Sequence, residues 1–308
     1  MVSQRNQWLD IAKGIAILLM VIGHSTIPQS VSNFIFAFHM PLFFISSGLV
    51  TNFEKYSAMH FIAHKLRTLL LPFLIFSSIV IILLIIAGIS DINHVLYNGW
   101  EGYALWFIPV LFFSLIINKI IKQIKMKYIR IALVLCILIS GAVLCYYSIY
   151  LPWSLSTIPY ASFLIFLGGG CKSLGQRIET IKNPIIYIWI LAILTITISH
   201  FWRLDMAWNH IRPVVPLTIG AISGTLMMFL ISIFIYKHTS VLSWILQAIG
   251  RETYIIVAFS QIIIMLLNKY FSLGPVPKYL ILCIVLVILK CIKDYANKLI
   301  GQMYTKLV

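Results

Sequence analysis

Three ionisable residues stand inside segments that are otherwise apolar, and their spacing suggests chemistry. Lys13 and His24 lie eleven positions apart in the first apolar segment of the chain. Eleven residues are close to three turns of an α-helix and about 16 Å of its length, so both side chains project from nearly one face. An imidazole takes or gives a proton near neutral pH. The pattern therefore suggests a proton-transfer group and a cation at opposite ends of one helix face.

The second apolar segment carries His39 within Phe38-His39-Met40-Pro41-Leu42-Phe43-Phe44. If the first two segments are antiparallel helices, His39 lies at about the depth of His24, and the two rings can face each other. Purely structural explanations of these three residues stay open. Lys13 can extend its ammonium group to the lipid headgroups, and each histidine can serve as a hydrogen-bonded packing residue.

Two further groups of residues could bind charged or sugar ligands. Lys65 and Arg67 precede the third apolar segment, and the forked guanidinium of Arg67 suits a phosphate. Between the seventh and eighth segments, indole faces suit sugar rings and guanidinium groups suit phosphate, which together favour a lipid-linked saccharide. Cytoplasmic anchoring and an aromatic belt at the membrane interface are the competing explanations. The candidates in this second stretch are Trp202, Arg203, Trp208, His210 and Arg212.

The elements that must position these residues are membrane helices. The 308 residues are 61% hydrophobic and 10% charged, whereas soluble domains are about 45–50% apolar and about 25% charged. A spanning helix needs about 20 mostly apolar residues. We predict an all-α, polytopic membrane bundle of about ten helices, over residues 8–27, 33–50, 68–90, 103–121, 129–149, 156–171, 184–202, 214–236, 253–271 and 277–297. The sixth segment is short and ends in three glycines, so a half-helix is an open alternative there.

The net charge of +15 reports topology rather than an acidic partner. Of the 23 Lys and Arg residues, 19 fall on the side of the N-terminus when the ten segments alternate, and the other four are Arg203, Arg212, Lys269 and Lys278. This positive-inside bias predicts that both termini are cytoplasmic, and it sets nucleic-acid binding aside. We expect residues 1–308 to form a single domain with no appended soluble domain. The five cysteines lack ligand spacing, so neither a metal site nor a disulfide scaffold is expected.

These motifs, taken together, resemble the acyltransferase 3 family of integral-membrane acyltransferases. The resemblance in architecture covers the whole chain, and its specific motifs lie within residues 9–72. It rests on Leu9-Asp10-Ile11-Ala12-Lys13-Gly14 with ten residues between Lys13 and His24, on the Phe-His-Met-Pro-Leu-Phe-Phe segment, and on Lys65-Leu66-Arg67 before Pro72.

The resemblance implies transfer of an acyl group, usually acetyl from acetyl-CoA, to a carbohydrate such as a surface polysaccharide or its lipid-linked precursor. Lys13 and His24 match the basic residue and the histidine of the family's first-helix motif. His39 matches its second-helix histidine, and Arg67 its basic residue before the third helix. On this basis we expect His24, His39 and Lys13 to be catalytic, Lys13, Lys65 and Arg67 to bind acetyl-CoA, and no metal to take part. Expected partners are acetyl-CoA, the saccharide acceptor and the lipids of the bacterial inner membrane.

The sequence departs from the family late in the chain. Many members carry a histidine near the end of a segment that here begins Gly250-Arg251-Glu252-Thr253-Tyr254. Ser260 stands where that histidine is common, so any role of the late histidine is absent or altered.

Two questions of mechanism stay open from the sequence. His24 can act as a general base on the acceptor hydroxyl, or it can be transiently acetylated and pass the group on. A transporter or flippase for a lipid-linked or anionic saccharide is the alternative function. It predicts broken helices near the glycines of the sixth segment and intramembrane charges spread over two halves of the chain.

Overall fold

The fold is a bundle of α-helices, as the pattern of apolar segments predicted. The computed structural model describes residues 6–25, 27–91, 93, 103–171, 177–271 and 273–307. Within them the β-structure consists of one isolated bridge between Asp205 and His210. The helices are α1 (Gln7–Gly23), α2 (Gln29–Val50), α3 (Ala58–Lys65), α4 (Leu71–Ile86), α5 (Phe107–Gln123), α6 (Lys127–Tyr146), α7 (Ile158–Gly170), α8 (Pro184–Phe201), α9 (Val214–His238), α10 (Ser240–Arg251), α11 (Thr253–Tyr270) and α12 (Pro275–Leu307).

Eight helical segments of the described chain are long and apolar enough to cross a membrane, which makes this a polytopic membrane protein. The predicted first and sixth spans are also helical, but α1 has 17 residues and α7 has 13. Thirteen residues extend about 20 Å, against about 30 Å for the hydrocarbon core. The number of ten spans and the cytoplasmic termini therefore stay predictions.

The third spanning segment begins earlier than the sequence predicted. It runs from residue 58 to residue 86, and it contains one π-helical turn over Leu66–Leu70. Pro72 has no N–H to give to the carbonyl four residues back, so the regular ladder cannot continue. In the wider turn the N–H of Leu71 bonds to the carbonyl of Leu66, five residues back. This turn brings Leu69 to the lining of a cavity within the bundle and leaves Arg67 exposed.

Two glycine pairs let helices cross in backbone contact. A Cβ on Gly14 would lie 2.2 Å from the carbonyl oxygen of Leu246, and one on Gly250 would lie 1.8 Å from that of Asp10. These contacts join α1 to α10. The same arrangement joins α2 to α7, where Gly48 and Gly168 would each meet a carbonyl oxygen of the opposite helix at 2.0 and 2.1 Å. Small residues commonly allow this close approach in membranes, where van der Waals packing drives association.

The second helix forms the centre of the bundle and holds one wall of the site. It packs against α1, α7, α8 and α9, and Phe38 and Phe44 on it are fully buried. Gly224 of α9 leaves room for the Phe38 ring, because a Cβ there would lie 2.5 Å from Phe38 Cβ. The histidine-bearing segment is therefore fixed on several sides by neighbouring helices.

Candidate functional site

One cavity of about 460 Å³ brings together residues from both ends of α1. Its walls come from α1, α2, α5, α11, the π-helical turn and the loop between α8 and α9. The walls are mainly apolar, and their ionisable or hydroxyl-bearing residues are Lys13, His24, His39, Ser47, Arg203, Asp205, Thr253 and Tyr254. Lys13 and His24 thus line the same space, separated by Ile17 and Met20 of the same helix face.

His24 ends α1 with its ring in a defined tautomer. Its Nδ1 lies 2.8 Å from the carbonyl oxygen of Met20, one turn earlier. A carbonyl oxygen only accepts hydrogen bonds, so Nδ1 carries the proton of the neutral ring and Nε2 carries the lone pair. The side chain is exposed rather than enclosed. His24 therefore presents a basic nitrogen at the end of the cavity that is lined by the loop between α8 and α9.

His39 faces His24 from the adjacent helix. It is buried, and its Nδ1 lies 2.9 Å from the carbonyl oxygen of Ile35, the same one-turn arrangement as at His24. The two imidazole rings lie edge to face with their centroids 6.4 Å apart. The Phe36 ring packs against both, at 5.4 Å from His24 and 5.0 Å from His39. Phe36 therefore fixes the separation of the two imidazoles.

The loop between α8 and α9 closes the end of the cavity beside the histidines. The Arg203 guanidinium packs over the Phe36 ring at 4.2 Å, and its Nη2 lies 3.6 Å from a carboxylate oxygen of Asp205. Asp205 and His210 exchange backbone hydrogen bonds of 3.1 and 2.8 Å. Burial raises the pKa of Asp205, and the neighbouring Arg203 opposes that shift. The loop thus brings an ion pair against the aromatic wall of the site.

The opposite end of the cavity is built by Lys13, Leu69 and Tyr254. The Tyr254 hydroxyl donates a hydrogen bond of 3.2 Å to the carbonyl oxygen of Leu69 in the π-helical turn. This bond ties α11 to the turn across the cavity wall. Lys13 is half-buried between these elements. A single ammonium group therefore marks the end of a mainly apolar space.

Most of the remaining predicted residues lie outside the lining of this cavity. Lys65 is half-buried, with its ammonium 5.6 Å from the Phe61 ring centroid, and Arg67 is exposed on the π-helical turn. Trp208 and Arg203 line the cavity, whereas Trp202, His210 and Arg212 do not. His210 Nε2 lies 3.0 Å from the Tyr150 hydroxyl, and Arg212 packs over the Tyr146 ring at 4.7 Å. These last three residues lie in the loop between α8 and α9 but outside the cavity lining.

Several lining residues escaped the sequence analysis. Trp106 and Phe107 line the cavity, although aromatic side chains in an apolar segment are more typical of packing or of an interface belt. Asp205 lies in the stretch chosen for its tryptophans and arginines. The available signal was a carboxylate between Arg203 and Arg212, two of the four cations predicted for the side opposite the N-terminus. Tyr254 belongs to the late segment that resembles the family, which was the signal for it. Phe36 gave none, because nothing distinguishes it from neighbouring phenylalanines.

The late segment serves mainly to dock helices against α1. Gly250 makes the close crossing, and Arg251 forms an ion pair of 3.6 Å with the buried Asp10. Glu252 pairs with Lys293 of α12. Ser260 is fully buried, and its hydroxyl has no hydrogen-bond partner among the described residues. A small side chain thus fills the place where the family often carries a histidine.

One comparison with known proteins identifies a family for the chain. A family model described as an acyltransferase domain matches residues 6–294, nearly the whole chain. Neither the search of curated proteins nor the search of solved structures gave a match.

Proposed function

Because the chain belongs to the acyltransferase 3 family and is an integral membrane acyltransferase, we propose that it moves an acetyl group from acetyl-CoA to a saccharide hydroxyl. The proposed acceptor is a cell-surface polysaccharide or its lipid-linked precursor, of the O-antigen, capsule or exopolysaccharide type. One observation carries the proposal: a single cavity holds a cation at one end and two histidines at the other.

The donor is proposed to bind at the Lys13 end. Acetyl-CoA carries phosphates joined to a long, flexible arm that ends in the thioester. The ammonium of Lys13 suits a phosphate, and the apolar side chains of Ile17, Met20 and Leu69 suit the arm. Lys65 and Arg67 lie outside the lining, where they are placed to attract the remaining phosphates. The distance along α1, about 16 Å, would then separate phosphate binding from chemistry.

His24 is proposed to be the general base. Its Nε2 takes the proton of the acceptor hydroxyl as that oxygen attacks the thioester carbonyl carbon. The carbon–sulfur bond breaks, and His24 returns the proton to the departing sulfur, so charge and atoms balance. The hydrogen bond to Met20 supports this role, because it fixes Nδ1–H and leaves the lone pair on Nε2.

His39 is proposed to position His24 rather than to polarise the thioester. With Nδ1–H directed at Ile35, the neutral His39 ring has only a lone pair at Nε2 and cannot donate there. The alternative in which His24 is transiently acetylated uses the same Nε2 as the nucleophile. Trapping an acetylated histidine by rapid quenching and peptide mass spectrometry separates the two routes.

We place the protein in the bacterial inner membrane as one domain with both termini in the cytoplasm. The cation bias supports this orientation, and it puts Lys13 on the side of the cytoplasmic acetyl-CoA pool. Trp208 and Arg203 at the histidine end would then face the acceptor, with Trp202, His210 and Arg212 around them. A reporter fused to each terminus tests the orientation.

The His24→Ala protein tests the proposed chemistry. We expect it to reach the membrane and to lose acetyl transfer by about 10²- to 10⁴-fold, the usual contribution of a general base. The measurement is transfer of labelled acetyl from acetyl-CoA to membrane glycan. His200→Ala is the matched control, since His200 is exposed at the end of α8 outside the cavity. Undiminished glycan acetylation by His24→Ala would refute the assignment.

The transporter alternative has less support. It predicts a break near the sixth segment's glycines, and α7 ends at Gly170, so this feature does not separate the two functions. The imidazole and ammonium groups that α1 and α2 bring to the cavity, those of Lys13, His24 and His39, all belong to the first half of the chain, whereas Arg203 and Asp205 lie in a loop and not in a spanning helix. Assays of acetyl transfer by purified protein and of saccharide uptake into vesicles distinguish the two functions.

A further inference from the structure

The cavity lining contains one carboxylate among the described residues, that of Asp205. It lies in the loop between α8 and α9, which also brings the exposed Trp208 to the cavity lining, and it is close enough to His24 for the two to interact electrostatically. Neither the general-base step nor donor binding uses this group. A half-buried acid on the acceptor side of the site therefore needs a role.

The backbone around Asp205 is held by bonds that do not involve its side chain. Asn209 adopts a left-handed conformation at φ 51° and donates to the Gly141 carbonyl at 3.3 Å. The Thr157 hydroxyl donates to the carbonyl of Met206, and the bridge to His210 closes the turn. The loop is thus a rigid support that presents the carboxylate to the cavity.

The carboxylate keeps capacity to bind a ligand. One hydrogen bond reaches it from the backbone N–H of Ala207, and the Arg203 contact at 3.6 Å is longer than a hydrogen bond. An ionised carboxylate offers about four lone-pair sites. Adjacent hydroxyls of a sugar ring are donors that two carboxylate oxygens can accept together, while an indole covers the apolar face of the ring.

We propose that Asp205 is the acceptor-positioning residue, which binds two neighbouring hydroxyls of a sugar ring held against Trp208 and presents a third hydroxyl to His24. This inference rests on the proposed function and narrows its acceptor to a sugar with a free vicinal diol beside the acetylated position. Arg203 holds the charge of Asp205 in place and is itself supported by Phe36 and by contacts of 3.5 Å to Ser32 and Asn33.

A purely structural role for the ion pair is the competing explanation. Burial raises the pKa of Asp205, so the ionised form is penalised in the folded protein. Arg203 is 36% exposed and has other contacts, so it does not need Asp205 for solvation. The Asp205→Asn protein should therefore fold as well as the wild type.

The test compares steady-state kinetics of wild type and Asp205→Asn. The acceptor probe is the unacetylated membrane glycolipid fraction from cells in which the gene is deleted, and labelled acetyl-CoA is the donor. We expect the acceptor KM to rise about 10- to 100-fold, the effect of losing hydrogen bonds to a charged group, with the KM for acetyl-CoA unchanged and the melting temperature at neutral pH no lower than that of the wild type. Asp91→Asn is the matched control, an exposed carboxylate after α4 outside the cavity.

Each outcome decides the matter. An unchanged acceptor KM in an active Asp205→Asn protein overturns the inference and leaves the proposed function standing. A fall in melting temperature, or a protein that does not fold, assigns Asp205 to the structure and also overturns it. Trp208→Ala supplies an independent check, because this indole is 60% exposed and its loss should raise the acceptor KM alone. Failure of the wild type to acetylate the glycan overturns both proposals.

Discussion

Replacing Gly250 by alanine should disturb the site from a distance, through the crossing of α1 and α10. A Cβ at this position would lie 1.8 Å from the Asp10 carbonyl oxygen, and contacts below 3.0 Å are essentially never seen. The obstacle is backbone, which cannot rotate away as a flexible side chain can. One helix must therefore move by at least about 1.2 Å, the difference between 3.0 and 1.8 Å.

The size of the effect follows from what α1 carries. Overpacking of this kind costs typically about 1–3 kcal/mol of stability. The displaced carbonyl is that of Asp10, one turn before Gly14. Lys13 precedes Gly14 in the chain, so the end of α1 that carries Lys13 shifts with the carbonyl. A misplacement of about 1 Å in a catalytic arrangement can reduce the rate by about 10²-fold. We expect a lower melting temperature in detergent and a loss of acetyl transfer of about that order.

The assay measures thermal unfolding and acetyl transfer on the same purified samples. Gly170→Ala is the matched control, because a Cβ there meets nothing within 4 Å. If Gly250→Ala retained the melting temperature and the activity of the wild type, the inference that this crossing sets the position of Lys13 would be wrong. If stability fell but activity per folded molecule did not, the crossing would matter for folding alone.

Two further predictions concern the ends of the cavity. Lys13→Met should raise the KM for acetyl-CoA about 10- to 100-fold, as expected for loss of a charged hydrogen bond to phosphate. Lys55→Met is the control, because Lys55 is exposed and outside the cavity. Wild-type kinetics for Lys13→Met would show that Lys13 only anchors the helix at the membrane surface. Because burial raises the pKa of Asp205, the folded protein binds a proton at this carboxylate more tightly than the unfolded chain does. The contribution of Asp205 to stability is therefore full below its ordinary pKa of 3.8, and it falls as the pH rises through the raised pKa. Arg203, His210 and His24 surround this carboxylate and reduce the shift. The melting temperature of Asp205→Asn minus that of the wild type should therefore be higher at pH 7 than at pH 4. The opposite ordering would contradict the burial of the ionised group.

The sequence predicted the fold class because apolar length reports directly on membrane helices. It could not settle the number of spans, since α1 and α7 are helical but short. It also missed the earlier start of the third segment. The residues of α3 are too polar to be counted in the apolar run that follows, although they already belong to the same helical segment. Only the backbone shows that a π-helical turn joins α3 to α4 across Leu66–Leu70.

The charges illustrate a second limit of the sequence. Counting cations on alternate sides treats each one as solvated, but Lys119 is buried and donates to the carbonyl oxygens of Phe53 and Tyr56. Its charge holds the loop after α2 against α5. Such a residue contributes to the cation bias and to the packing at once, and no spacing rule separates the two contributions.

The position of the cavity inside the bundle bears on how the two reactants meet. Under the proposed topology the thioester arrives from the cytoplasm and the saccharide from the other side, so the two reactants must meet inside the bundle. A cavity lined by Lys13 at one end and His24 at the other permits that meeting without opening either crossing of α1 with α10 or of α2 with α7. A transporter moves one group of helices against another so that its substrate leaves on the opposite side. Backbone contact at both glycine pairs therefore favours a fixed bundle in which only the acetyl group changes sides.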